Sequence, residues 1–198
     1  MRLDSKRLGI LSGLVAPIIF TIFYGIAMSQ DPNYTFLENY LSDLGVGPGA
    51  WAFNSGLMIT GILLVSFAIF GLRQTLPRHW TITIAVAVAS VSGLFLVSIG
   101  VFTEDAGDIH GLVSYGFFIS ALVAVGFLSE GLYRTKALGW LGLGVSLIVF
   151  LAGLNLVLMG GTPAVETAAV IMILVWGVLT SILLLMKIPT AGQESSLK

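Results

Sequence analysis

Six long apolar runs constrain this chain more than anything else in it: Leu8–Met28, Trp51–Leu72, Thr81–Phe102, His110–Tyr133, Ala137–Met159 and Glu166–Met186. A helix climbing about 30 Å of hydrocarbon needs about twenty consecutive apolar residues. Each run meets that length and none is long enough to hide a second span. The expected fold is an all-α membrane protein, a six-transmembrane-helix bundle.

The segments between the runs set the orientation. Arg2, Lys6 and Arg7 precede the first run, Arg73 and Arg78 separate the second and third, Arg134 and Lys136 separate the fourth and fifth, and Lys187 and Lys198 follow the sixth. These are all 9 Lys and Arg residues. With six spans they fall on one side, which the positive-inside rule makes cytoplasmic. A missed or extra helix would scatter them. The expected location is the cell membrane, multi-pass, with N- and C-termini cytoplasmic. Asp31, Glu38, Asp43, Glu104, Asp105, Asp108 and Glu166 gather at the opposite, outer ends, and Asp4, Glu130 and Glu194 lie inside.

Composition narrows the classes further. Hydrophobic residues make up 57% and charged residues 10%, against about 25% charged in soluble domains, so lipid is the natural solvent. A net charge of −1 leaves no basic patch for nucleic acid. The absence of cysteine removes disulfides, thiolate metal sites and thiol nucleophiles. Ala27 and Ser29 imitate a signal-peptidase site, but signal h-regions run only about 7–15 residues, so the first run reads as an uncleaved helix. Residues 1–188 form one transmembrane domain and residues 189–198 a flexible cytoplasmic tail.

Gly9 and Gly13, and Ala85, Ala89 and Gly93, have the four-residue spacing that lets helix backbones approach. Pro17 is expected to kink the first helix. Trp51, Trp80, Trp140 and Trp176 mostly lie near span ends, as interface anchors do. Glu130 and Arg134 have ion-pair spacing, i and i+4.

The first outer connection is the longest. Thr35 and Glu38 have capping-box spacing and Gly45 suits a helix C-terminus. Phe36, Leu37, Tyr40, Leu41 and Leu44 make an apolar stripe opposite Glu38, Asn39, Ser42 and Asp43. A short amphipathic interfacial helix is expected here, lying at the outer interface or folded as a cap over the bundle.

Several polar residues reach the same outer depth. They are Asn39, Ser42 and Asp43 in that connection, Asn54 in the second run, and Glu104, Asp105 and Asp108 after the third. His110 opens the fourth run, Asn155 lies near the outer end of the fifth, and Glu166 opens the sixth. Polar groups at membrane depth face the bundle interior or a wet cavity, so an outward-facing polar pocket is expected. Ser42, Asp43 and His110 are the residue types of a hydrolase triad. The same three also fit a structural cap, or ion binding. Asn39, Asn54, Glu104, Asp105, Asp108, Asn155 and Glu166 are candidate ligand-binding residues. Zinc is disfavoured because the one other histidine, His79, lies on the cytoplasmic side. Transmembrane bis-histidine haem ligation fails for the same reason, so no cofactor is expected.

The stretch Asn39-Tyr40-Leu41-Ser42-Asp43-Leu44-Gly45, followed by Phe53-Asn54, by Gly100-Val101-Phe102-Thr103-Glu104-Asp105 and by His110-Gly111, resembles domain of unknown function 998. This is a family of small prokaryotic multi-pass membrane proteins. The resemblance covers nearly the whole chain in helix number and spacing. It implies that Ser42, Asp43 and His110 fall in recurring motifs, and it implies no activity. The functional expectation is a membrane protein, surrounded by membrane lipids, whose outer pocket binds or hydrolyses a lipid or small molecule. In the enzymatic version His110 is the general base, Ser42 the nucleophile or a positioning hydroxyl, and Asp43 a charge-stabilising group. The rival expectations are a transporter or channel subunit and a non-catalytic partner of another membrane protein.

Overall fold

The computed structural model describes residues 4–188. The expected tail 189–198 lies outside the described residues, as do Arg2 and Lys198. Six helices are long and apolar enough to cross a membrane: α1 Ser5–Gln30, α2 Ala50–Thr75, α3 Trp80–Val101, α4 Asp108–Thr135, α5 Gly139–Met159 and α6 Pro163–Lys187. The described residues contain no strand.

Most helices run a few residues past the apolar runs, and the reason is capping. Asp4 accepts from Lys6 N–H at the start of α1, and Thr162 accepts from Val165 N–H at the start of α6, with Pro163 next to it. These polar first turns are helical but invisible to hydropathy. The α4–α5 connection is tight because Lys136 (φ 50°) and Gly139 (φ 62°) take left-handed conformations.

The chain runs up and down, so alternate helix ends meet. Ser5 Oγ donates to Gln74 Oε1 (3.1 Å), and Lys187 Nζ donates to the Ala137 carbonyl (2.7 Å). Lys6, Arg7, Arg73, Arg78, Arg134, Lys136 and Lys187 therefore share one end of the bundle. Glu130 and Arg134 pair there at 2.7 Å. One apolar core cluster, around Ile10, Phe67, Ile82 and Leu128, fills that half, and a second, around Phe20, Leu44, Phe53 and Phe117, fills the other.

Close helix contacts set the frame. A Cβ on Gly61 would stand 2.6 Å from the Gly93 carbonyl oxygen, so α2 and α3 touch at bare backbone. Gly9 of α1 meets Phe70 and Gly71 of α2 in the same way, where α2 widens into a π-helical segment at Phe67–Leu72. Pro17 is accommodated within a continuous α1. By contrast α5 buries only Gly142 and Ser146. Its one buried polar tie is the indole N–H of Trp176, which donates to Ser146 Oγ at 3.1 Å.

The first connection departs from the expected amphipathic helix. Thr35–Asn39 form a turn in which Thr35 Oγ1 donates to Glu38, and only Leu41–Gly45 are helical, as a short 3₁₀ turn. A 3₁₀ turn eclipses residues three apart, so Leu41 and Leu44 enter the bundle together and are buried. Phe36 and Leu37, their supposed partners in one stripe, stay 50% and 63% exposed.

Candidate functional site

The first connection is fastened by side chains. Asp43 caps the 3₁₀ turn, accepting from the Tyr40 backbone N–H (3.1 Å) and from Asn39 Nδ2 (3.0 Å). Asn54, in the second turn of α2, donates its amide to the Gly45 carbonyl (2.9 Å). Glu166, in the first turn of α6, accepts the Leu41 N–H at 2.7 Å. The Tyr40 hydroxyl donates to the Gly161 carbonyl (2.8 Å), in the loop before α6. The segment thus lies over the ends of α2 and α6 as a cap.

The α3–α4 connection approaches from the other side. It makes a 3₁₀ turn at Glu104–Ala106, passes through Gly107 (φ 61°) and enters α4 at Asp108. His110 Nδ1 stands 2.8 Å from the Phe102 carbonyl oxygen and Nε2 stands 3.3 Å from Ser114 Oγ. A carbonyl only accepts, so Nδ1 carries the hydrogen. In the neutral ring Nε2 is then the acceptor of the Ser114 hydroxyl.

Glu104 stands beside Asp43 across the gap between the two connections. Burial raises the Glu104 carboxyl above its ordinary pKa, and the neighbouring Asp43, with its negative charge, raises it further. His110 opposes the shift.

Beneath these groups, α4, α5 and α6 enclose a cavity of about 380 Å³. One end is lined by Tyr40, Ser42, Glu104, His110, Ser114 and Glu166. The rest is lined by apolar groups, among them Phe118, Leu122, Val149, Leu156 and Met172. A second cavity of about 90 Å³ lies within the bundle, walled by Phe20, Phe53, Leu57, Phe67, Leu96 and Phe117.

The structure gathers some of the expected site residues and disperses others. Ser42, Glu104, His110 and Glu166 line the large cavity. Asp43 and Asn39 sit behind that lining, bonded to each other, and Asn54 holds the cap through Gly45. Asp105 is exposed on the α3–α4 connection, Asp108 at the start of α4 and Asn155 on α5; none of the three belongs to the lining. Ser42 and Asp43 are not the hydrogen-bond partners of His110, whose ring nitrogens meet Phe102 and Ser114. Sequence reading missed Ser114, although its position four residues after His110 on a helix was a usable signal. Among the described residues no three His, Asp or Glu side chains group as metal ligands.

A family model described as "Protein of unknown function (DUF998)" matches residues 14–186. The chain belongs to the DUF998 family. No curated protein and no solved structure matches it. The DUF998 match begins inside α1 and ends inside α6, so it takes in both connections and both cavities. With six apolar helices in one bundle, this DUF998 chain is a multi-pass membrane protein. The two segments that carry the family resemblance, around Ser42-Asp43 and from Glu104 to His110, meet in space where Asp43 and Glu104 stand side by side.

Proposed function

We propose that the protein binds an amphiphile from the surrounding bilayer, with its polar head among Glu104, His110 and Glu166 and its chain between α4, α5 and α6. The observation that carries this reading is the polarity gradient of the 380 Å³ cavity, with ionisable groups at one end and an apolar lining below. Ligand sites in general combine an apolar wall with a few polar groups that fix orientation. Two carboxyls and a histidine favour a head group that donates hydrogen bonds, a hydroxyl or an amine. By the positive-inside rule, the basic residues at the opposite end support an outward-facing site in the cell membrane, with both termini cytoplasmic. The cap then lies at the outer interface, with exposed Phe36 and Leu37 dipping into the headgroup layer.

The test is photocrosslinking of the protein in lipid nanodiscs with a diazirine-bearing long-chain amine. Saturable labelling of α4 and α6 segments that face the cavity is expected, reduced at least tenfold in Ala169→Trp, which places bulk in the lining. Labelling spread without saturation over all lipid-facing helices would remove the proposal.

The Ser114–His110 contact favours a second reading, ester hydrolysis. His110 Nε2 would take the Ser114 proton as the hydroxyl attacks an acyl carbonyl and would return it to the leaving alcohol; a water, deprotonated by the same nitrogen, would then attack the acyl-Ser114 ester, releasing the acid and restoring the Ser114 hydroxyl. The Phe102 carbonyl holds Nδ1–H where a triad carboxylate would. Ser42 would position substrate from the same cavity, and Asp43 would act through Glu104. A fluorophosphonate probe should label the wild type and not Ser114→Ala; an unlabelled wild type leaves binding without hydrolysis.

A further inference from the structure

We infer that the occupant is a two-chain amphiphile, one chain in each cavity, with the junction of its chains held at Ser42, Ser114 and Glu166. This rests on the binding reading above and adds the class of ligand.

The two cavities are not independent. Both are lined by Ser42, Ser114, Phe118, Glu166 and Ile173. Three of these five carry hydroxyl or carboxyl groups; beyond them the inner wall is apolar but for Thr60, and the outer one is apolar below its head-group end at Tyr40, Glu104 and His110. With these residues as a polar crotch, the two cavities would form the two arms of one fork. A single chain has use for only one arm. A lipid whose two chains diverge from ester, amide or hydroxyl groups matches the fork in shape and polarity together.

The arms are unequal. A water-sized group needs about 10–15 Å³ of such space. The inner arm, about 90 Å³, then takes roughly six to nine methylene-sized groups by the same measure. The outer arm, about 380 Å³ and bounded by α5, takes a longer chain.

Two independent features mark the inner arm as space kept open. Thr60 lies on its wall, 5% exposed, and its hydroxyl has no hydrogen-bond partner. A buried hydroxyl left unpaired is costly unless an occupant satisfies it. Gly177 also faces this arm, and a Cβ there would meet only the Gly13 carbonyl oxygen, at an ordinary 3.7 Å. A Cβ there is accommodated without a backbone clash, so nothing at this position requires glycine for close backbone approach.

The experiment is competition against the same photoprobe in nanodiscs, using one-chain and two-chain amphiphiles with an identical amine head. The two-chain competitor is expected to act at least tenfold more strongly on the wild type. Gly177→Leu, which blocks the inner arm, should erase that advantage while leaving the one-chain competitor unchanged. Gly177→Ala should reduce the advantage in the same direction, which guards against misfolding of the larger variant. Gly111→Leu, where a Cβ meets nothing within 4 Å and the added bulk enters the outer arm, should weaken both competitors. Equal competition on the wild type, or a two-chain advantage that survives Gly177→Leu, overturns the two-chain assignment and leaves the binding site standing. A wild type without saturable labelling overturns both.

Discussion

The backbone N–H of Leu41 donates to Glu166 Oε2 at 2.7 Å, joining residues 125 apart in sequence. Leu41 is buried, so this contact fixes the cap to α6 in a place where the N–H has little access to water. Glu166→Ala removes the acceptor and should cost about 1–3 kcal/mol, the range for stranding a buried donor. Glu166→Gln keeps a carbonyl oxygen in reach and should cost clearly less. Thermal unfolding of the purified protein separates the two, and equal losses would mean the N–H finds another acceptor.

Gly93 faces the Gly61 carbonyl and Val65 across the α2–α3 contact, with a Cβ there 2.7–2.8 Å from their atoms. Gly93→Val should lower the unfolding temperature sharply, because backbone cannot yield as a side chain can. Gly144→Ala, with nothing within 4 Å of its Cβ, should be neutral or stabilising by about 0.5–1 kcal/mol. Equal tolerance at both positions would contradict the described α2–α3 packing.

Trp176 and Ser146 form the one buried polar tie on α5. Ser146→Ala leaves the indole N–H unpaired, at a cost of about 1–3 kcal/mol. The loss should fall on α5 before the rest of the fold. Hydrogen–deuterium exchange read peptide by peptide should show faster exchange in α5, while α2 and α3 keep their protection. Uniform acceleration would place the tie at the centre of the bundle instead.

The Glu104 carboxyl, raised above its ordinary value, predicts the sign of a pH effect. The folded protein holds this proton more tightly than the unfolded chain, so the stabilisation is complete below the ordinary value of 4.5 and is lost as pH rises through the raised one. Unfolding temperature should therefore fall over that window. Asp43→Asn removes the like charge and should flatten the fall, with His110 still favouring the ionised form. A steeper slope in the variant would reverse the assigned cause.

How far the sequence could be read depended on which physical signal each element carries. Run length alone predicts all six spans, because hydrocarbon thickness is a one-dimensional constraint. It misses the polar first turns at Ser5 and Pro163, which are helical through capping. The cap was misread because its apolar residues do not share one destination: Leu41 and Leu44 enter the core while Phe36 and Leu37 stay outside. Depth along a span was also legible, and it brings Ser42, Glu104, His110 and Glu166 to one level. Azimuth was not. α5 is apolar on nearly every face, so no pattern told which way Asn155 points. Ser114 carries no mark of its own, since a lone serine in an apolar span ordinarily bonds the carbonyl one turn back, as Ser120 does, and only the His110 ring one turn before it makes it a site residue.

The weak seating of α5 makes the site a property of the membrane as well as of the chain. Val149, Gly153, Leu156 and Val157 of this helix wall the large cavity, yet Gly142 and Ser146 are its only buried residues. In a bilayer, neighbouring acyl chains press that wall against α4 and α6. A small detergent micelle exerts far less lateral pressure and relaxes it. Under the binding reading, affinity for an amphiphile should then rise with bilayer packing and fall on solubilisation, so that membrane tension would act as a control on occupancy.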